Sequence, residues 1–130
     1  MITLELPYPP TVNTYYRTPR SGPIAGRTLI SEAGRKYRAH VGSLIAAQRA
    51  AYGLTGRLRV EIAMHAPDRR QRDLDNITKS LLDALTHAGV WADDEQIDDL
   101  RLRRERVMRG GQVVVQIEEI APAVAQLELA

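Results

Sequence analysis

The sequence predicts one α/β domain of the α+β type, a small mixed sheet with helices packed on it. Three observations carry this. The chain has 130 residues, enough for one core and too few for a large second domain. Apolar and polar residues alternate around Ile2, Leu4 and Leu6, around Leu58, Val60, Ile62 and Met64, and around Val113, Val115 and Ile117, the period of half-buried strands. Between these runs lie two stretches with the i, i+4, i+7 rhythm of helices that bury one stripe.

Taken in order, the first strand stops at Pro7, Pro9 and Pro10, and a loop follows from Tyr8 to Gly26. Its arginines interleave with Tyr15 and Tyr16, which suits splayed bases or single strands; tyrosines that cap the core fit equally well. Thr28, Leu29 and Ile30 read as a short strand. Ser31 is the expected N-cap and Gly53 the expected stop of a helix of about 20 residues. Its stripe is Tyr37, Val41, Leu44, Ile45, Gln48 and Tyr52, with Arg35, Lys36, Arg38 and Arg49 outside it. After the strand from Leu58 to Met64 and Pro67 comes a polar connector, Asp68-Arg69-Arg70-Gln71-Arg72. A second helix is expected from Asp75 to about Ala88, ended by Gly89, with Ile77, Leu81, Leu82 and Leu85 inward. A strand around Leu100 and Leu102 should join Val113–Ile117 through Gly110-Gly111 as a hairpin, with a bulge or arginine-rich edge at Arg103–Arg106. The domain is expected to span residues 1–120, leaving 121–130 as a short flexible tail.

Composition narrows the function. There is no Cys, so disulfides and thiolate metal sites are excluded and a reducing, cytoplasmic setting is expected. No leader or membrane span is expected either. The net charge of +2 hides a segregation. Nine basic residues between Asn13 and Arg59 face Glu32 alone, whereas Asp93, Asp94, Glu95, Asp98 and Asp99 crowd one short segment. A basic body with an acidic cluster suits a polyanion bound together with cations. Apart from Lys36 and Lys79 every basic residue is Arg, whose fork matches phosphate.

The densest chemistry is Arg72-Asp73-Leu74-Asp75-Asn76 followed by Lys79. If Asp75 caps the helix, Asp75, Lys79 and Asp83 share a face opposite the leucines. Asp73 and Asp75 can aim at one point near the helix start, and Asp93-Asp94 could fold back beside them. Magnesium accepts a few carboxylates plus phosphate oxygens and water, so Asp73, Asp75 and Asp94, with Asp93 less firmly, supply a site for it; manganese should substitute. Lys79 can then stabilise charge on a reacting phosphodiester. Bland alternatives stay open: Asp75 as a cap, Lys79 paired with Asp75 and Asp83, and Asp93 capping with Gln96. An EF-hand would need Gly at Thr78, and His40, His65 and His87 have no ligand spacing.

The run from Pro67 to Asn76, with Lys79, Asp83-Ala84-Leu85, Gly89, Trp91 and Asp93-Asp94, resembles the RusA family of Holliday-junction resolvases. So does the opening Leu6-Pro7-Tyr8-Pro9-Pro10, followed by Asn13 and Tyr15-Tyr16-Arg17. The likeness extends to about Ile120. It implies a homodimeric, magnesium-dependent endonuclease that resolves four-way DNA junctions by paired symmetric nicks. It further implies that Asp73, Asp75, Asp94 and Lys79 are the essential residues. Arg69, Arg70, Arg72, Asn76, Arg17, Tyr15 and Tyr16 are the expected DNA contacts. The chain lacks Phe, so an aromatic wedge would fall to Tyr15, Tyr16 or Trp91. Rival functions are a flap- or fork-cutting nuclease and a binding module that never cuts.

Overall fold

The computed structural model describes residues 1–121; apart from Ala121, the expected tail lies outside the described residues. In chain order the elements are β1 (Ile2–Leu6), α1 (Val12–Tyr15), β2 (Tyr16–Arg17), β3 (Leu29–Ile30), α2 (Glu32–Ala47), β4 (Arg57–His65), α3 (Thr78–His87), a 3-10 turn (Asp94–Gln96), β5 (Ile97–Arg104) and β6 (Gln112–Ile120). The four long strands form one mixed sheet in the order β1-β6-β4-β5, and β2 and β3 form a separate small ribbon. The mixed sheet and packed helices are as the hydrophobic periods predict.

One face of the sheet carries Leu4, Leu6, Leu58, Val60, Ile62, Met64, Val113, Val115 and Ile117, all buried. These join Val41 and Ile45 of α2 and Leu81 and Leu85 of α3 in a single core. Each such aliphatic side chain contributes roughly 1.5–3 kcal/mol when fully buried, so the core rather than helix propensity fixes where α3 lies. The opposite face of the sheet is laced with ion pairs, among them Arg59 with Asp99 and Glu118, and Arg103 with Glu61.

The expected hairpin through Gly110-Gly111 does not form. β6 pairs antiparallel with β1 and β4, and β5 lies on the far side of β4, parallel to it. Alternation reveals that a segment is a strand but not which neighbour it chooses. The choice follows burial: β6 offers Val113, Val115 and Ile117 for the sheet centre, whereas β5 keeps Leu100 41% exposed at the edge.

Helix ends show the same mix of agreement and correction. Ser31 caps α2, its hydroxyl accepting from the Gly34 N–H at 3.0 Å. The helix stops at Ala47, short of Gly53, because Arg49 turns left-handed (φ 54°) and the Ala50 N–H bonds back to Ile45, tucking Ala50 into the core. At the end of α3, Gly89 (φ 86°) donates to Thr86 and Val90 to Leu85, a Schellman closure that only a residue tolerant of positive φ completes cheaply. Its start is later than expected. Asp73–Ile77 forms successive tight turns, Asn76 N–H to Asp73 and Thr78 N–H to Asp75, and the helix begins at Thr78 with no side-chain cap. Asp75 therefore does not cap it. Among the described residues no helix is long and apolar enough to cross a membrane.

Candidate active site

Helix α3 presents Lys79 and Asp83 one turn apart, but they have different partners. Asp83 accepts hydrogen bonds from the Tyr15 hydroxyl and from Arg38 Nε at 2.9 Å, and its ion pair with Arg38 closes to 2.7 Å. This network ties α1, α2 and α3 together. Burial and the bond to Asp83 raise the Tyr15 phenol, with Arg38 opposing. Tyr15 is completely buried, so the expectation that it contacts DNA is corrected: its ring fills the core and its hydroxyl satisfies Asp83. Tyr16 meets Tyr15 edge-on, with ring centroids 4.7 Å apart, and carries the Lys79 ammonium 5.1 Å above its own ring. No acidic side chain among the described residues pairs with Lys79, which sets aside its bland reading as a helix-surface ion pair.

The network supports a stability prediction. Tyr15→Phe removes the hydroxyl's bond to Asp83 and the one it accepts from Arg38 but leaves the Arg38–Asp83 pair, and should lower unfolding free energy by about 1 kcal/mol in urea titration. Asp83→Ala strands a partly buried guanidinium and should cost more, about 1–3 kcal/mol. Equal effects of the two changes would show that the ion pair is not the stabilising element.

The acidic segment resolves into distinct duties. Glu95 and Asp98 pair with Arg57, and Asp99 with Arg59 and Arg101. Asp93 accepts from the Glu95 N–H at 3.0 Å while Gln96 accepts from the Asp93 N–H, the capping arrangement foreseen as an alternative. The bond from Glu95, followed by one to Asp94, holds the Asp93 carboxyl below its usual range. Asp94 has no ion pair among the described residues. Desolvation of its carboxyl, then the neighbouring Asp93 and Asp83, raise it above the usual range. Asp94 also lies close enough to act on the Tyr16 hydroxyl, so Asp94, Tyr16 and Asp83 share one neighbourhood with Lys79.

Asp73 and Asp75 stand on the turns before α3, both exposed, and no ion pair or side-chain hydrogen bond engages either among the described residues. Asp73 lines a cleft with Arg69, Arg70 and Arg72, which brings three of the expected DNA contacts beside one expected ligand. Arg72 is held by Asp68, at 2.8 Å to its carboxylate and 3.1 Å to its carbonyl. Arg17 is exposed on β2. Asn76 is half-buried and spends its carbonyl on the Val12 N–H. Trp91 is buried and donates to the Thr86 hydroxyl at 2.6 Å, so it packs rather than stacks on a base.

Among the described residues no three His, Asp or Glu side chains gather in one place within the chain. The donor chemistry still fits magnesium. Asp73 and Asp75 offer hard oxygens that no protein cation neutralises, and magnesium is held by few protein carboxylates, the rest of its shell being water and phosphate. Sequence reasoning missed the Arg38–Asp83–Tyr15 network and Tyr8, a second wall of the Asp73 cleft. Nothing in the spacing from Tyr8 to Arg72 or from Tyr15 to Asp83 signals these contacts.

A one-domain α/β protein with unneutralised carboxylates, an unpaired lysine and an arginine-lined cleft has the make-up of a small nuclease. The model of one family, described as Endodeoxyribonuclease RusA, matches residues 7–118. The chain is 43% identical over 117 residues to the crossover junction endodeoxyribonuclease RusA of Enterobacteria phage 82, spanning 90% of this chain and 93% of that protein. It is 42% identical over 118 residues to the protein of the same name from Escherichia coli K12 (91% and 94%) and 44% identical over 115 residues to that of Enterobacteria phage HK97 (88% and 92%). The chain belongs to the RusA family of endodeoxyribonucleases.

Proposed function

We propose that this chain is a magnesium-dependent crossover junction endodeoxyribonuclease that works as a homodimer and resolves four-way DNA junctions by paired symmetric nicks. One observation carries the reading: the family match runs through residues 7–118 and includes Asp73, Asp75, Asp94 and Lys79, none of which is neutralised by an ion pair among the described residues. Asp73, Asp75 and Asp94 would hold magnesium, whose chemistry there would be to activate a water and offset charge on the scissile phosphate. Asp93 is already engaged in capping, so Asp94 is the acid left for that work. Lys79, steadied over the Tyr16 ring, offers its ammonium to the charge that develops as the phosphodiester breaks. Arg69, Arg70 and Arg72 take the flanking phosphates.

The dimer has a physical role here. A two-fold pair of sites matches two opposed strands of a junction, and a second copy can complete a site that no three acids of one chain build among the described residues. A cytoplasmic location suits a chain without cysteine.

The test is to compare cleavage of four-way, three-way, flap and linear duplex DNA at one enzyme concentration. The proposal expects the four-way junction to be cut fastest, with nicks on opposed strands. Preference for flaps or forks would instead make this a nuclease of other branches. Binding should also be salt-dependent, each phosphate contact adding a slope of about −0.9 in log affinity against log salt on duplex arms. Neutralising Arg69, Arg70 and Arg72 together should flatten that slope by two to three contacts' worth. An unchanged slope would move the DNA path away from this cleft.

A further inference from the structure

We infer that the cleft at the carboxyl ends of β4 and β5 holds a single nucleobase turned out of the DNA beside the cut, with the Tyr8 ring as its stacking surface. The inference deepens the nuclease reading and rests on it for the position of the cut.

The topology comes first. β4 and β5 are parallel, so both carboxyl ends open on the same edge, and crevices outside such ends are where open α/β sheets bind ligands. Met64 and Ala66 line the cleft from β4 and the residue chain beyond it, and Arg104 and Glu105 from β5. Its volume is about 310 Å³, at the lower end of small-molecule pockets: room for one heterocycle, not for a base pair with its backbone.

The lining has the two characters that a base requires. Tyr8, Met64, Leu74 and Val107 make an apolar wall, and Val107 is left 43% exposed, surface that a bound ring would cover. Arg72 and Arg104 lie close enough to the Tyr8 hydroxyl to favour its ionised form, although burial outweighs them. Exposed Arg69 and Arg70 stand ready for the phosphates on either side of the base, and Asp73 in the same wall sets that base next to the reacting phosphodiester.

The wall is also held in place. Gly111 (φ 73°) presses on Tyr8 so closely that a Cβ there would sit 2.7 Å from the Tyr8 Cβ. Arg104 Nη2 donates to the Arg72 carbonyl at 2.7 Å, and Arg72 Nη1 donates to the carbonyls of Asp68 and Arg70. A preformed slot binds without further ordering of its side chains.

The experiment measures binding of a labelled four-way junction in calcium, with single bases deleted one at a time around the cut, by the parent, Tyr8→Ala and Val107→Asp proteins. Stacking of one base on an aromatic ring is worth about tenfold or more in affinity. Tyr8→Ala should therefore weaken binding of the intact junction about tenfold, yet leave affinity unchanged for the junction that lacks the base seated in the cleft. This comparison cancels whatever it takes to unstack the base. Val107→Asp, at an exposed position that tolerates a charge, should show the same loss on the same junction and keeps the test valid if Tyr8→Ala unfolds. A penalty equal on every junction, or no penalty on any, overturns the inference. Coupling at one base in a protein that never cuts would uphold the cleft and sink the nuclease reading; cutting without coupling would do the reverse.

Discussion

Proteins carrying Asp73→Asn, Asp75→Asn or Asp94→Asn should bind a four-way junction and fail to cut it, with rates down by at least about a hundredfold in magnesium. Each change keeps side-chain volume and removes one charge. Folding should be untouched, because neither Asp73 nor Asp75 caps α3 and the 3-10 turn is capped by Asp93, not Asp94. Binding should persist because the arginines remain. Whether one chain or two build each site gives a sharper expectation. If a second copy completes each site, an Asp75→Asn chain and an Asp94→Asn chain refolded together give heterodimers with one intact site. The mixture should regain about a quarter of the parent's sites. A site contained in one chain would show no rescue at all, since every chain in the mixture then carries a defect.

Lys79→Ala should lower the cleavage rate by about a hundredfold or more while melting temperature and junction affinity stay near those of the parent. The structure separates the two effects. Among the described residues Lys79 has no acidic partner, and its aromatic contact with Tyr16 is worth about 0.5–1 kcal/mol at an exposed site. Removing it therefore barely alters stability. A preorganised charge at the reacting phosphate is worth several times more. Lys79→Arg should rescue only in part, since the broad, planar guanidinium cannot reproduce a compact ammonium beside the reacting phosphate in a crowded site. A Lys79→Ala protein that cuts at the parent rate would leave the lysine as a surface residue stacked on a tyrosine.

Much of this was legible in the residues, for identifiable reasons. Strands β1, β4 and β6 follow from strict alternation, and the caps at Ser31 and Gly89 from local backbone chemistry that needs no tertiary knowledge. Strand order was not legible, because Gly110-Gly111 looks the same whether the chain turns back on β5 or crosses to the far side of β4. The start of α3 was misplaced because Asp75 has the chemistry of a cap, and only the turns at Asp73–Ile77 show that the helix starts later and without a side-chain cap. At the site, the acids and Lys79 stood out by type and spacing. The acidic run did not reveal its division of labour, since the partners Arg57 and Arg59 lie on the neighbouring strand β4 rather than nearby in sequence. Tyr15 shows the limit most plainly: an aromatic in a basic loop is indistinguishable from a core residue until the half-buried Asp83–Arg38 pair that claims its hydroxyl is seen.

The most direct measurement is the fate of a mobile four-way junction labelled on all four strands in turn and incubated with the purified protein, with and without magnesium. Paired nicks at symmetric positions on two opposed strands are expected with magnesium or manganese, and binding with little cleavage in calcium. Vigorous cutting in excess chelator, or nicks scattered singly over linear duplex at the same rate as on the junction, would contradict it.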